Sequence, residues 1–243
     1  MSLAKIYTLL KGTKIMKILA IETSCDICSV SLLEDNNLIL ELKETAVKNH
    51  SESLMPLIDK LFKETNTSLK DIDLFAVDNG PGSFTGIRIG LSTVKAFCDV
   101  THKPCVAISS LEALAYTVDT ESSYICSMID AKHENVYASI FKKNGKSLVK
   151  SSDFMFKNYN DLLLDLGSLK NLIFFAGNCG ILYKDVIKSY LKNDIFFGED
   201  TIVSSKFVGI AAFDKFKNGE VSDSKNLNAL YLKKSSAEEK FEK

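Results

Sequence analysis

The chain has 243 residues, 46% hydrophobic and 25% charged, with 30 Lys+Arg against 31 Asp+Glu and a formal net charge of -1. That length admits one large domain or two lobes, with ample apolar material for a buried core. Near-neutral charge excludes the simplest nucleic-acid reading, a basic surface that binds by counterion release; 12 Gly and 3 Pro exclude collagen-like and disordered classes.

Residues 1–15 carry one short apolar patch, Ile6 to Leu10. It falls below the ~7-residue minimum of a signal-peptide core, and no small-residue cleavage site follows. Met16 stands directly before a strand-like run, so 1–15 reads as an added segment or start-site extension. No run approaches the roughly 20 apolar residues of a membrane span. Cysteines 25, 28, 98, 105, 126 and 179 sit mostly inside apolar runs, which points to reduced thiols and a cytoplasmic protein.

Lys17–Glu22, Cys28–Leu33 and Leu38–Leu42 predict a three-stranded antiparallel meander, with a turn at Asp35-Asn36-Asn37. Leu54, Leu57, Ile58, Leu61 and Phe62 at helical spacing predict a helix over Ser51–Glu64. Ser51 or Ser53 is its candidate cap, and Pro56 belongs in or near the first turn. Leu74–Val77, wholly apolar between polar flanks, suits an interior parallel strand. A helix over Thr85–Val100, a strand over Cys105–Ile108 and a helix over about Ser110–Thr117 follow. The pattern then restarts. Tyr124–Asp130 resembles the opening strand in length and in ending on an acid. Asn135–Phe141 with a turn at Asn144-Gly145 repeats the hairpin. Tyr159–Leu166 and Leu182–Leu191 read as helices, Leu172–Phe175 and Ile195–Phe197 as strands, and Lys206–Lys217 as a last helix. This weak repeat predicts an α/β fold of two similar lobes with mixed sheets and a cleft between them, spanning 16–121 and 122–232, with a charged tail over 233–243.

Gly80-Pro-Gly-Ser-Phe-Thr-Gly86 is the most specific stretch. It lacks the Lys-Ser/Thr of a Walker loop and the spacing of the dinucleotide fingerprint. It is a strand-to-helix turn in which Ser83 or Thr85 caps the helix, and such a helix start either binds an anion or is simply capped. Gly82, Gly86 and Gly90 lie four apart on one helix face. Each helical glycine costs about 1 kcal/mol against alanine, so the stripe implies close approach of another backbone, from this chain or a partner. Arg88, the sole arginine, marks a place where a planar five-donor fork is needed, or an incidental surface charge. Cys25-Asp-Ile-Cys28 has no second pair, and the three histidines form no ligand cluster, so no metal site is expected. Glu22 and Asp130, at equivalent strand ends, either hold a metal-nucleotide or accept backbone donors. No Ser-His-Asp or H-E-x-x-H arrangement supports a peptidase.

Ile18-Leu-Ala-Ile-Glu-Thr23, His50-Ser-Glu-Ser-Leu-Met-Pro56, Gly80 through Gly90 and Ile129-Asp-Ala-Lys-His-Glu-Asn-Val-Tyr137 resemble the TsaB (YeaZ) family of tRNA threonylcarbamoyladenosine biosynthesis subunits. The resemblance runs from about Met16 to Tyr231, more loosely in the C-terminal half. It implies two RNase-H-like lobes of the actin/Hsp70/sugar-kinase (ASKHA) type, with mixed five-stranded-like sheets. The family's older glycoprotease-homologue naming comes from kinship with the catalytic paralogue TsaD. There a His-x-x-x-His helix holds a metal, whereas the aligned positions here are Ser110 and Leu114, a poor ligand and a non-ligand. Asp130-Ala-Lys-His-Glu likewise lacks the Gly and Thr of the fold's second phosphate hairpin.

The resemblance therefore implies a non-catalytic scaffold with no catalytic residues and no cofactor of its own, weak nucleotide binding being left open. Implied partners are a TsaD-like catalytic subunit, a TsaE-like ATPase and tRNA through the complex, with a homodimer when TsaD is absent. The implied docking face is Leu54, Leu57, Ile58, Leu61, Gly82, Gly86, Ile89 and Gly90. Implied nucleotide or anion contacts are Glu22, Thr23, Ser83, Thr85, Arg88, Asp130 and Gly177. The alternative is an ATP-binding phosphotransferase or ATPase of the same superfamily, built on Glu22 and Asp130.

Overall fold

The computed structural model describes residues 15–45, 50–120, 123–144, 147–169, 172–192, 194–198 and 202–233. Gly145, nearly all of the 1–15 extension and the tail beyond Lys233 lie outside them.

The chain forms two compact units, one comprising the residues up to Ala113 with Val203–Ala229, the other Leu114–Ile202 with the residues from Leu230. In the first unit, β1 (Lys17–Glu22), β2 (Ile27–Glu34) and β3 (Asn37–Thr45) make the expected meander. β4 (Leu74–Asp78) and β5 (Cys105–Ile108) add in parallel, giving the order β3-β2-β1-β4-β5. Period-two alternation divides the sheet faces. Leu19, Ile21, Cys28, Val30, Leu32, Phe75 and Val77 meet α1 (His50–Glu64) and α2 (Phe84–Thr101) in one buried cluster. The opposite face presents Ala20, Ser29, Ser31 and Leu33 to α7 (Ser205–Lys217).

α7 corrects the expected lobe boundary, which assigned it to the C-terminal lobe. Its small residues let it lie close to the sheet: a Cβ added at Gly209 would come 2.3 Å from Leu33 Cδ1 and 3.2 Å from the Ala20 Cβ. Hydroxyl pairing fixes its start, with Ser31 and Ser205 Oγ 2.6 Å apart and the Ser205 N–H donating to Ser29 Oγ at 3.0 Å.

α1 departs from expectation at its start. It opens at His50, so neither Ser51 nor Ser53 is the cap, and Pro56 lies inside the helix rather than in its first turn. An interior proline costs roughly 3 kcal/mol through its missing N–H and ring clash. Burial of Leu54, Leu57, Ile58 and Leu61, at roughly 1.5–3 kcal/mol per side chain, outweighs it.

The second unit repeats the first in order and sense. β6 (Ser123–Asp130) and β7 (Asn135–Asn144) are antiparallel, β10 (Ile173–Ala176) and β11 (Ile195–Phe197) add in parallel, and the sheet runs β11-β10-β6-β7-β8. β8 (Ser147–Lys150) and β9 (Met155–Asn158) share the outer edge of β7. Its core gathers Met128, Val136, Leu162, Leu166, Phe175 and Ile187. α3 (Ser110–Ala115) crosses the unit boundary in sequence; α4 (Tyr159–Gly167) falls as expected. The expected Leu182–Leu191 helix is α6 (Lys184–Tyr190), preceded by a further short helix, α5 (Asn178–Leu182), the two separated at Tyr183 with φ -103° and ψ 16°. None of the described helices is long and apolar enough to cross a membrane.

Candidate functional site

β1 and β4 pair in parallel up to Ile21 opposite Val77, so the next residues, Glu22 and Asp78, end side by side. Both carboxyls are wholly buried. Glu22 Oε1 accepts the Ser24 N–H at 2.6 Å, the Ser24 hydroxyl at 2.7 Å and the Cys25 N–H at 3.2 Å. Asp78 Oδ1 accepts the Gly80 N–H at 2.6 Å and the Ser110 hydroxyl at 2.7 Å. Ser24 Oγ also lies 3.3 Å from Asp78 Oδ2 and 3.2 Å from Ser110 Oγ. Glu22 Oε2 has no hydrogen-bond partner. Burial, and then the charge of Asp78 beside it, push the Glu22 carboxyl well above the usual carboxylate range.

Within this cluster Glu22 takes the second of its two expected roles, accepting backbone donors at its strand end. The Glu22 carboxyl is turned into its own unit, and Thr23 is buried with its hydroxyl donating to Gly86 O at 2.8 Å. Asp78 and Ser24, which complete the cluster with Ser110, are not singled out by the sequence. A signal was present: two apolar strands each end on an acid, and parallel pairing sets such ends together.

α2 and the turn before it explain the glycines: Gly86 and Gly90 lie in the helix, whereas Gly82, expected on the same helix face, falls in the turn ahead of the Ser83 cap. A Cβ at Gly86 would lie 1.9 Å from Thr23 O, one at Gly82 2.3 Å from Ser24 O, and one at Gly90 2.6 Å from Thr23 Oγ1. The close approach that the stripe demands is to the β1–β2 turn of the same chain. The Ser83 N–H donates to Ser24 O at 2.7 Å, while Ser83 Oγ caps the helix by accepting the Gly86 N–H at 3.2 Å. Ser83 is therefore the cap, and Thr85 is exposed in the first turn.

The structure divides the expected docking residues between the inward and outward sides of α1 and α2. Leu54, Leu57, Ile58 and Leu61 are buried in the first unit's core, and Gly86 and Gly90 are buried against Thr23. Helical periodicity marks the stripe facing a helix's own sheet, so it selected the inward side. Of the expected set, Ile89 is partly exposed, Gly82 is exposed, and Leu54 and Ile89 line the outward side. The outward side is a groove of about 540 Å³ between α1 and α2, lined by Met55, Phe84, Thr85, Arg88, Ile89 and Ser92 among others. Met55 is 50% exposed and Phe84 40%, and the Arg88 guanidinium carbon lies 3.7 Å from the Phe84 ring centroid. Arg88 thus makes a cation–π contact on that rim.

In the second unit, Asp130 and Gly177 come together at the ends of β6 and β10, where the Asp130 N–H donates to Asn178 Oδ1 at 3.3 Å. Lys132 Nζ holds the Asp130 carboxylate at 2.8 Å. Burial alone would raise the Asp130 carboxyl; the bonds and charge of Lys132 outweigh it and hold the group below its ordinary value. A Cβ at Gly177 would meet Met128 O at 2.1 Å, so packing accounts for this glycine. Lys132, His133 and Glu134 all have positive φ (65°, 52° and 60°), completing the turn without glycine.

The metal of the catalytic paralogue does not fit the residues present. The Ser110 hydroxyl is donated to Asp78, and Leu114 is a buried hydrocarbon 3.1 Å from a Cβ placed at Gly177. Among the described residues, no group of three or more His, Cys, Asp or Glu could hold a metal ion.

Comparison with known proteins fits this architecture. A family profile described as "TsaD: tRNA N6-adenosine threonylcarbamoyltransferase" matches residues 41–239. The solved structure of YeaZ from Pseudomonas aeruginosa superposes with a TM-score of 0.75 at 22% identity, covering 90% of this chain and 100% of that one. The ROK hexokinase of Thermus thermophilus superposes with a TM-score of 0.50 at 8% identity over 84% of this chain and 100% of its own. The class is therefore an ASKHA-type α/β protein of the TsaD-related kind. The tRNA threonylcarbamoyladenosine biosynthesis protein TsaB of Bacillus subtilis is 30% identical over 229 residues, 93% of this chain and 98% of that protein. With that coverage, the chain belongs to the TsaB family.

Proposed function

We propose that this protein is a non-catalytic scaffold in the formation of threonylcarbamoyladenosine on tRNA, docking a TsaD-like catalytic subunit through the outward groove between α1 and α2. The observation that carries the reading is the division of α2 and the turn that enters it into two faces. Gly82, Gly86 and Gly90 are spent on contact with Thr23 and Ser24, while Phe84, Arg88 and Ile89 turn outward beside Met55. An exposed aromatic, a thioether and a guanidinium around a shallow apolar groove are the side chains on which protein interfaces concentrate binding energy. Because the partner shares the fold, the contact is pseudo-symmetric, and a homodimer through the same groove is expected without it. The metal-bearing subunit carries the transfer. This chain works there with a TsaE-like ATPase, and tRNA is reached through the assembly.

The test is reconstitution of tRNA modification from purified components, with this protein omitted or added back, alongside co-purification of a Phe84→Glu variant with the TsaD-like subunit. Modification is expected to need this protein, and Phe84→Glu to lose the partner while keeping the wild-type circular dichroism spectrum. Full modification without this protein, or an undiminished yield of the complex with Phe84→Glu, removes the proposal.

A further inference from the structure

The hydrogen bonds around Glu22 and Asp78 are one proton short. The Ser24 hydroxyl, 2.7 Å from Glu22 Oε1, has one hydrogen, and Ser110 gives its own to Asp78 Oδ1 at 2.7 Å. Glu22 Oε2 then has no donor, and Asp78 Oδ2 has only the already committed Ser24 Oγ at 3.3 Å. Two buried oxygens on these neighbouring carboxyls are left with no hydrogen between them. No lysine, arginine or histidine forms an ion pair with either carboxyl among the described residues. The titratable neighbours are Cys25 and Cys28, whose thiols are pushed up to about 12 by burial and then by Glu22, so both stay neutral. His50 of α1 stands across Gly86, with its Cδ2 3.1 Å from a Cβ placed there. On α3, Glu112 is taken by Lys215 of α7 at 2.8 Å. Two adjacent full charges in such a place are far costlier than one charge and one proton.

We infer that Glu22 and Asp78 hold a single proton between them, and that this proton latches the end of β1, the Gly80–Gly82 turn and the start of α3 together against the first turn of α2. The latch reaches α2 through Ser24, which carries the hydroxyl in the cluster and the carbonyl that receives the Ser83 N–H at 2.7 Å. The carboxyl's proton affinity is raised on folding, so the latch's stabilisation is full below the unfolded value of 4.5 and is lost as pH rises through the folded one. Under the docking reading above, on which this clause alone rests, the α1/α2 groove is set by that proton.

The experiment is urea unfolding of wild type and Glu22→Gln between pH 5 and 8. The amide has a neutral carboxyl's shape and donates where the proton sits, so it keeps the latch at every pH. The ratio of the wild-type to the variant folding constant is expected to fall with pH, by up to tenfold per unit for one retained proton. Parallel curves overturn the proposal. So does stabilisation of the wild type, but not of Glu22→Gln, by Mg²⁺, Mn²⁺ or Ca²⁺, which would put a cation in the proton's place. Should Glu22→Gln not fold, infrared absorption of Glu112→Gln protein at pH 7 decides: a protonated-carboxyl carbonyl band is expected in the native state and is absent if both acids are charged. Partner binding is measured separately across the same pH range. Its absence at every pH strikes the docking reading and leaves the latch to the unfolding curves.

Discussion

Gly86→Ala is the sharpest probe of what the glycine stripe does. The added Cβ would sit 1.9 Å from Thr23 O, against 3.4 Å for ordinary contact, so α2 or the β1–β2 turn must move by more than an ångström. The obstacle is backbone, which cannot rotate away as a side-chain tip can. Overpacking of a fitted core costs about 1–3 kcal/mol. Loss of the Thr23 hydroxyl bond to Gly86 O, 2.8 Å long, adds about 1 kcal/mol. Alanine's better helix propensity returns about 1 kcal/mol. The net expectation is a loss of roughly 1–3 kcal/mol, about 2–12 °C in Tm for a protein of this size. Urea unfolding followed by circular dichroism measures it, with hydrogen exchange of the α2 amides showing where the loss falls. If the stripe served a partner instead, Gly86→Ala would unfold like wild type and fail only in complex formation. A stability change within 0.5 kcal/mol would refute the packing argument.

Glu134→Gly is expected to stabilise by roughly 1 kcal/mol in the same urea assay, because a left-handed non-glycine residue (φ 60°) carries a steric cost that glycine does not. Glu41 accepts the Lys206 N–H at 3.0 Å and the Ser205 hydroxyl at 3.1 Å at the start of α7. Burial alone would raise its carboxyl, but Lys43 and the Lys206 N–H outweigh burial and leave it below its ordinary 4.5. Its stabilisation is therefore present above pH 4.5 and lost as pH falls through the lowered value, and Glu41→Gln should cost about 1 kcal/mol at pH 7 and less as the solution is acidified. Met55→Ala, on a half-exposed side chain, should change stability by less than about 0.5 kcal/mol yet weaken partner binding at least about tenfold in a titration.

Much of this fold was legible because its strands are short apolar runs between polar turns. Cys105–Ile108 and Ile195–Phe197 fall where the residues place them, and the repeated strand-hairpin pattern anticipates two similar lobes with mixed sheets. What escaped needed contacts distant in sequence. α7 joins the first unit through Ser29, Ser31 and Leu33, more than 170 positions earlier, and nothing local records that choice. β9 has no apolar alternation; Met155–Asn158 is half-buried throughout, so its strand state comes from pairing with β7. Apolar spacing in α1 located the helix but could not say whether sheet or partner covers the stripe. The outward residues were hidden by their polarity, since Ser51, Ser92 and Thr93 around Met55 and Phe84 read as a solvated face.

Under the proposed docking role, the two faces of α2 act together. Docking costs free energy whenever a surface must be ordered on contact, and a surface ordered beforehand avoids most of that cost. Here the inner face is seated on the carbonyls of Thr23 and Ser24 at distances that leave no room for a methyl group. The Ser83 cap and the buried carboxyl pair tie the same turn to β4 and α3. Phe84 and Arg88 are therefore carried on a helix whose position is fixed before any partner arrives. Inner-face substitutions such as Gly86→Ala should weaken folding and docking together, in proportion, while outer-face substitutions such as Phe84→Glu should weaken docking alone. A Gly86→Ala protein that loses stability yet docks with wild-type affinity would show that the groove does not depend on the seat beneath it.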